Sequence, residues 1–220
     1  LVVGLIGLIV EWVLIRFLYG RMVDTLLATW GLSLLFIGLI TTIFGAQTAT
    51  TISPPFGPIP IGEFSSSGYE VFLIFVAIIL ILLLYLLLRY TTLGLVARGT
   101  MQAADMAAAL GISTQRVYSM TFGIGAALSG LAGGLLAPIT GVLPTIGAIY
   151  IGKAFITVIS GGTAILAGTA SASILLGGVN GIVSFMIGPT MGEVALLLLA
   201  IVLLRLMPQG ITGRFFKRSL

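Results

Sequence analysis

Apolar stretches that approach the length of a membrane span follow one another along the whole chain. A helix needs roughly 20 apolar residues to cross about 30 Å of hydrocarbon. Seven stretches are candidate spans: 1–18, 25–44, 71–88, 117–137, 146–159, 165–187 and 194–207. Only 7% of the 220 residues are charged, whereas a soluble domain has about a quarter. The sequence therefore predicts an all-α, polytopic transmembrane helix bundle, and it excludes a soluble enzyme, a disordered chain and a nucleic-acid-binding domain.

Two missing residue types narrow the chemistry. The chain has neither Cys nor His, so it lacks thiolate nucleophiles, the commonest metal ligands and the usual general base. An intramembrane serine protease would lack its base. The stretch GAIYIGK at 147–153 nearly spells a P-loop but lacks the Ser or Thr that would follow the Lys. We therefore expect no catalytic residue, no cofactor and no metal, with any ATP hydrolysis on a separate chain.

The basic residues define an orientation, since cytoplasmic loops are enriched in Lys and Arg. With the 16–21 turn in the cytoplasm, alternation of the spans places nine of the ten basic residues at cytoplasmic ends: Arg16, Arg21, Arg89, Arg98, Arg116, Arg205, Arg214, Lys217 and Arg218. Lys153 is the exception, and we expect it to reach the outer headgroups; a functional role or a partner inside the membrane is the alternative. Loop 46–69 is then external, either as a connector or as a contact for a delivery protein, and loop 91–116 is cytoplasmic. The basic segment 214–218 is expected to anchor on anionic lipid.

The cytoplasmic loop contains a short helix-forming segment. Residues 102–110 read QAADMAAAL, which is rich in strong helix formers, and Gly111 is a typical C-terminal cap. The segment 105–111 loosely matches the E-A-A-x-x-x-G pattern of ABC importer permeases. A short helix of small residues is suited to a groove of an ATPase. An ordinary interfacial helix is the alternative.

An ordered series of short motifs follows the chain from end to end. They are Phe17-Leu-Tyr-Gly-Arg21, Asp24-Thr-Leu-Leu-Ala-Thr-Trp-Gly-Leu-Ser33, Thr92-Leu-Gly94, Met106-Ala-Ala-Ala-Leu-Gly-Ile112, Thr121-Phe-Gly-Ile-Gly-Ala-Ala127, Gly130-Leu-Ala-Gly-Gly134, Lys153-Ala-Phe155, Gly161-Gly162 and Met207-Pro-Gln-Gly210. This series resembles the branched-chain amino acid permease family of ABC importers, which includes relatives assigned to urea and short-chain amides. The family's usual glycine-rich first span is absent, so we expect an N-terminal part to be missing. The chain departs from the family pattern at 163–168, which leaves the shape of that turn open.

The resemblance implies one transmembrane permease domain over 1–220 and a function as permease subunit of an ATP-driven importer for branched-chain amino acids or small amides such as urea. The implied partners are ABC ATPase subunits, a second permease subunit, identical or homologous, and a periplasmic or extracellular substrate-binding protein. The implied location is the lipid of the inner, or plasma, membrane. The residues that would couple the permease to the ATPase are Asp105, Met106, Ala107, Ala108 and Gly111.

Other polar and small residues inside the spans are candidates for the substrate path. They are Thr157, Gly161, Gly162, Asn180 and Ser184. Packing between helices is the alternative role for each, as it is for the glycine pairs 130/134 and 177/181. Helix breaks are expected near 161–162 and 177–178. Glu11 is a carboxylate well inside a span, where it would pair with Arg16 or with a basic group of the missing N-terminal part, or carry protons. A proton-carrying role would fit the alternative function, an ion-coupled secondary transporter of a small polar solute.

Overall fold

The structure is a computed structural model, and it describes residues 2–45, 57–61, 64–162, 165–207 and 210. Nine α-helices lie within these ranges, and each predicted span overlaps one of them. The helices are α1 Val2–Val13, α2 Met22–Phe44, α3 Gly68–Tyr90, α4 Thr92–Gln102, α5 Ala104–Ala109, α6 Thr114–Thr140, α7 Ile146–Gly161, α8 Ile165–Met186 and α9 Pro189–Leu206. Two short antiparallel strands, β1 Pro58–Ile61 and β2 Phe64–Ser67, precede α3.

The all-α polytopic fold class is confirmed. Among the described residues, α2, α3, α6, α8 and α9 are long and apolar enough to cross a membrane. Helix α7 is apolar but has 16 residues, and α1 has 12. The count of seven spans is therefore not established, although seven helices lie where the spans were predicted.

The chain divides into two compact units, Leu1–Ile146 and Gly147–Leu220, called here unit 1 and unit 2. In unit 1, α1 lies against α6 with their backbones close together. A Cβ on Gly4 would lie 3.0 Å from that of Ala127, and one on Gly7 would collide with that of Ala126. Small residues on both helices permit this close approach. Helices in lipid associate through such close packing, because the hydrophobic effect does not drive them together there.

A second contact in unit 1 fixes the start of α3. Tyr69 is buried, and its hydroxyl donates a 2.8 Å hydrogen bond to the carbonyl of Leu135 on α6. At its other end, α3 turns sharply into α4 at Thr91. The turn is tight enough that a Cβ on Gly94 would collide with the backbone of Leu88, so only glycine fits there.

In unit 2, α8 and α9 form a helical hairpin joined by Ile187 and Gly188. The positive φ of 138° at Gly188 and the proline at the first position of α9 start the second helix abruptly. Leu176 of α8 and Leu196 and Ala200 of α9 form the buried core of this unit.

The structure corrects three local expectations. The segment 91–116, which the sequence places in the cytoplasm, holds α4 as well as the short helix, because the Thr91 side chain caps α4 by accepting a hydrogen bond from the Gly94 N–H. Helix α8 is unbroken through 177–178. A Cβ at Gly177 or Gly181 would meet no described atom within 4 Å, so the packing role expected for that pair is not found in the part of the chain that is described.

Some sequence-based predictions concern residues that the structure does not describe. Most of the predicted external loop 46–69, the turn residues 163–164 and the basic segment 214–218 lie outside the described residues. The described part of the loop, 57–61 and 64–67, contains the two antiparallel strands.

Candidate functional site

The predicted coupling segment is a short, capped helix between long ones. Helix α5 ends in a Schellman motif, in which the Ile112 N–H bonds the Ala107 carbonyl at 3.0 Å and the Gly111 N–H bonds the Ala108 carbonyl at 2.9 Å. Gly111 has a φ of +83°, which favours glycine over residues with a Cβ. The prediction that Gly111 caps this helix is confirmed.

One side of α5 is buried against unit 1, and the other side is exposed. Ala107 is buried, whereas Asp105, Met106 and Ala108 are exposed, and α5 contacts the start of α6. The five predicted coupling residues thus lie on a single turn and its cap. The buried position fixes the helix to unit 1, and the exposed positions are accessible from outside it.

The exposed side of this segment carries large apolar side chains. Met101, Met106 and Leu110 have 56%, 65% and 77% of their surface exposed. Met106 and Leu110 are one helical turn apart, so they share a face. Flexible methionine side chains adapt to a partner's surface. The sequence reasoning had singled out the small residues here and had not singled out Met101 or Leu110.

The α4 helix that leads into α5 is anchored along one stripe. Gly94, Ala97 and Thr100 recur at intervals of three and are all buried, as expected for a helix with one face on its neighbours. Helix α4 contacts α3 and α6. The coupling segment is therefore tied by α4 and by the turn after Gly111 to two helices long enough to cross a membrane.

Glu11 is buried at the end of α1, where it accepts two hydrogen bonds. The Tyr19 hydroxyl donates to Oε1 at 2.7 Å, and the Ser119 hydroxyl of α6 donates to Oε2 at 2.6 Å. The expected pairing with Arg16 is not found, because that guanidinium lies 4.8 Å from the ring centroid of Phe17. Glu11 links α1, the following turn and α6.

The turn residue Tyr19 is affected by this contact. Its pKa is raised above the ordinary tyrosine value, first by desolvation, then by the hydrogen bond to Glu11 and the nearby negative charge. Its ring also lies 5.0 Å from that of Tyr118. The neutral form of the phenol is therefore favoured in the folded protein.

The candidate path residues of unit 2 do not converge on one point. Gly161 lies against the backbone of Gly168 and Thr169, near the start of α8. Gly162, with a φ of +79°, lies against Gly210. The break expected at 161–162 is confirmed, because α7 ends at Gly161.

The other polar candidates are elsewhere along the helices. Ser184 donates to Oδ1 of Asn180 at 3.1 Å, and both side chains face Gly192 of α9. Asn180 is eleven residues from Thr169, which is about 16 Å along α8. Thr157 bonds the Lys153 carbonyl within α7 at 2.8 Å. The Asn180–Ser184 pair thus has the contacts of interhelical packing.

The contact that sequence reasoning missed in unit 2 is an ion pair. Lys153 Nζ of α7 lies 2.8 Å from Glu193 Oε1 of α9, instead of reaching headgroups alone. The two residues are 40 positions apart, and no spacing rule connects them. The signal that was available was the isolation of Lys153 from all other basic residues.

A cavity of about 220 Å³ lies beside this ion pair. Its lining residues are Ile149, Gly152, Lys153, Ile156, Glu193, Leu196 and Leu197. The arrangement joins one positive and one negative group to an aliphatic surface. Within the described ranges no group of three or more metal-ligating side chains is found.

The chain was compared with known proteins. Residues 1–207 match the family model described as branched-chain amino acid transport system, permease component. The high-affinity branched-chain amino acid transport system permease protein LivH of Escherichia coli (strain K12) is 36% identical over 128 residues, which are 58% of this chain and 42% of that protein.

Two further relatives match more of the chain. The probable branched-chain amino acid transport permease protein LivH of Methanocaldococcus jannaschii is 26% identical over 207 residues, 88% of this chain and 65% of that protein. The high-affinity permease protein BraD of Pseudomonas aeruginosa is 32% identical over 164 residues, 72% of this chain and 53% of that protein. The chain thus spans less than two thirds of the length of these relatives. No solved structure matches it.

Proposed function

Because the chain belongs to the branched-chain amino acid transport permease family, we propose that it is the transmembrane permease subunit of an ATP-driven importer of branched-chain amino acids. It performs no bond chemistry. It alternates between outward and inward access while ATP is hydrolysed on partner chains. The observation that carries this proposal is the capped, half-exposed helix α5 between α3–α4 and α6.

The geometry of α5 is suited to transmitting a movement of the ATPase to the neighbouring helices. Its cap at Gly111 and its buried Ala107 hold the segment as a rigid unit, and the exposed Met106 offers a contact. A displacement of α5 reaches α6 through the short turn 111–113 and reaches α3 through α4. An ATPase that grips this helix would therefore move two helices that are long enough to span the bilayer.

The partners follow from this mechanism. We propose two ABC ATPase subunits at α5, a second permease subunit of identical or homologous sequence, and an external substrate-binding protein. The complex would lie in the inner, or plasma, membrane, with α5 in the cytoplasm. Arg98 and Arg116 are exposed on either side of α5, as expected for the cytoplasmic side.

The test is reconstitution of the full-length permease in proteoliposomes with its ATPases and binding protein. We expect leucine uptake that requires internal ATP and is blocked by vanadate. Omission of the ATPases should abolish uptake. Uptake by the permease alone that collapses with an uncoupler would contradict the proposal and favour an ion-coupled secondary transporter.

The same vesicles decide the substrate class. Urea and short amides are neutral and small, whereas leucine is a zwitterion with a branched apolar chain. We expect ATP-dependent uptake of leucine, isoleucine and valine, with urea far weaker. ATP-dependent uptake of urea alone would keep the importer mechanism and reject the proposed substrate.

Coupling through α5 is tested by crosslinking. These 220 residues contain no Cys, so Ala108→Cys, with any Cys outside them replaced by Ser, places a single thiol on the exposed side of this helix. We expect a crosslink to the ATPase that inhibits transport. Gly57→Cys, at the exposed start of the strand pair, is the control and should give none. Equal crosslinking at both sites, or at neither, would reject the coupling role of α5.

A further inference from the structure

The Lys153–Glu193 pair lies between two helices of unit 2 without being enclosed by them. Its atoms are 2.8 Å apart, and the two side chains are 34% and 58% exposed. Lys153 Nζ also lies 5.9 Å from the ring centroid of Tyr150. Both charged ends are therefore within reach of a molecule that enters from outside unit 2.

Charged side chains on transmembrane helices face protein or a water-filled cavity, because exposure to hydrocarbon costs several kcal/mol. Glu193 lies in the second turn of α9, a helix long and apolar enough to span a membrane, and Lys153 is in the middle of α7. A half-exposed ion pair at these positions indicates that this side of unit 2 meets a polar space.

The cavity next to the pair has two kinds of surface. Lys153 and Glu193 are among its lining residues, and most of its surface is apolar, with contributions from Ile149, Ile156 and Leu197. Its volume of about 220 Å³ is far above the roughly 10–15 Å³ that a single water needs. A small solute with two opposite charges and a branched apolar chain matches this surface.

We propose, building on the import function above, that this cavity is a substrate-contact site for zwitterionic amino acids. Lys153 binds the α-carboxylate, Glu193 binds the α-ammonium group, and the aliphatic lining contacts the side chain. The solute inserts between the two charges, so one ion pair becomes two. When the site is empty, Lys153 and Glu193 neutralise each other. Re-formation of this ion pair compensates for the contacts that are lost when the solute leaves.

The polarity of the site gives a sharp test in the reconstituted complex. Lys153→Gln and Glu193→Gln each remove one charge, and we expect the apparent KM for leucine uptake to rise at least tenfold. Stimulation of ATP hydrolysis by the binding protein should persist. The exchange variant K153E/E193K restores an ion pair with reversed polarity, so it should assemble normally while leucine uptake stays at least tenfold below wild type.

A matched control is the exposed pair Arg21–Asp24, whose atoms are 3.7 Å apart. Arg21→Gln should leave the KM for leucine unchanged. Recovery of uptake in the exchange variant would show a purely structural ion pair and overturn the site. An unchanged KM in both single variants would do the same. Absence of ATP-dependent leucine uptake in the wild-type complex would instead reject the import function itself.

A second measurement leaves Lys153 and Glu193 unchanged, so it does not require that charge variants assemble into the complex. Leu197→Cys places a thiol in the cavity, and Ile201→Cys places one a helical turn away, outside the lining residues, on an exposed position. We expect a water-soluble maleimide to label position 197 in the assembled complex, faster than position 201, and millimolar leucine to slow that labelling. Labelling at 197 that leucine leaves unchanged, or no labelling there, would overturn the proposal.

Discussion

Glu11 illustrates at the scale of one residue how a carboxylate is accommodated in an apolar bundle. It is 1% exposed, and its described partners are two neutral hydroxyls rather than a basic side chain. Hydroxyl groups can both donate and accept. Tyr19 and Ser119 can therefore keep a hydrogen bond with either a carboxylate or an amide at this position.

Replacement of Glu11 separates a structural role from proton transfer. Glu11→Gln retains an acceptor and adds a donor, so stability should change by less than about 1 kcal/mol and transport should continue. Glu11→Ala leaves the hydroxyls of Tyr19 and Ser119 without this partner and should cost about 1–3 kcal/mol. Thermal unfolding in detergent and leucine uptake measure the two effects. Loss of uptake in the Gln variant, with stability intact, would support proton coupling instead.

The raised pKa of Tyr19 predicts a loss of stability in alkaline solution. Unfolded tyrosine titrates near its ordinary value of 10.0, while the folded protein keeps Tyr19 protonated to higher pH. The contribution of Tyr19 is therefore complete below pH 10.0 and falls as the pH rises above that value. We expect the melting temperature of the wild type to drop more steeply above pH 10 than that of Tyr19→Phe. Parallel curves would contradict this.

The sequence identified which residues needed an explanation but not their partners. Glu11 and Lys153 stand out because charges are rare in these spans. Ser119 is 108 positions from Glu11, and Glu193 is 40 positions from Lys153. Such contacts depend on which helices become neighbours, and helical periodicity within one segment holds no information on that.

At the scale of elements, α5 could be predicted because its signals are local. Helix formers followed by glycine define both the helix and its end, and the Schellman bonds at Gly111 agree with them. Helix α4 was not predicted from the sequence. Its N-cap, Thr91, directly follows the last residue of α3, so no loop separates the two helices. The break expected within α8 was wrong, since neighbouring glycines permit a break without requiring one.

The cap at Gly111 gives a prediction on coupling. Gly111→Ala puts a Cβ at a φ of +83°, which costs about 1–2 kcal/mol and loosens the end of α5. We expect ATP hydrolysis to continue with less leucine transported per ATP. Gly99→Ala, in helical backbone on α4 with open space at its Cβ, should leave this ratio unchanged. An equal effect of the two variants would show that the cap is not what couples.

Packing of α1 on α6 gives a second prediction at this scale. Gly7→Ala brings a methyl group into collision with that of Ala126, and overpacking of this kind costs about 1–3 kcal/mol. Gly134→Ala, where nothing lies within 4 Å, should be neutral. The double variant G7A/A126G should recover most of the lost stability in thermal unfolding. If the second change brings no recovery, the close approach of these helices is wrong.

For the whole molecule, composition alone was enough to predict membrane-spanning helices. The length of each helix was harder, because helices α1 and α7 are apolar yet shorter than about 20 residues. The arrangement of basic residues predicts which loops face the cytoplasm. The side of the membrane predicted for a loop depends on how many helices cross the membrane before it in the chain. The orientation is therefore best tested with two positions on either side of a single well-defined helix.

Helix α3 is suitable for this test, because it has 23 residues and is long and apolar enough to span the bilayer. Glu70 is exposed in its first turn, and Leu110, beyond its far end, is 77% exposed after α5. With any Cys outside these 220 residues replaced by Ser, Glu70→Cys should react with a membrane-impermeant maleimide in intact cells, and Leu110→Cys only after the membrane is opened. Equal helix content and expression of both variants would serve as the control. The reverse pattern would place α5 outside the cytoplasm, where no ATPase reaches it, and coupling through α5 would then be impossible.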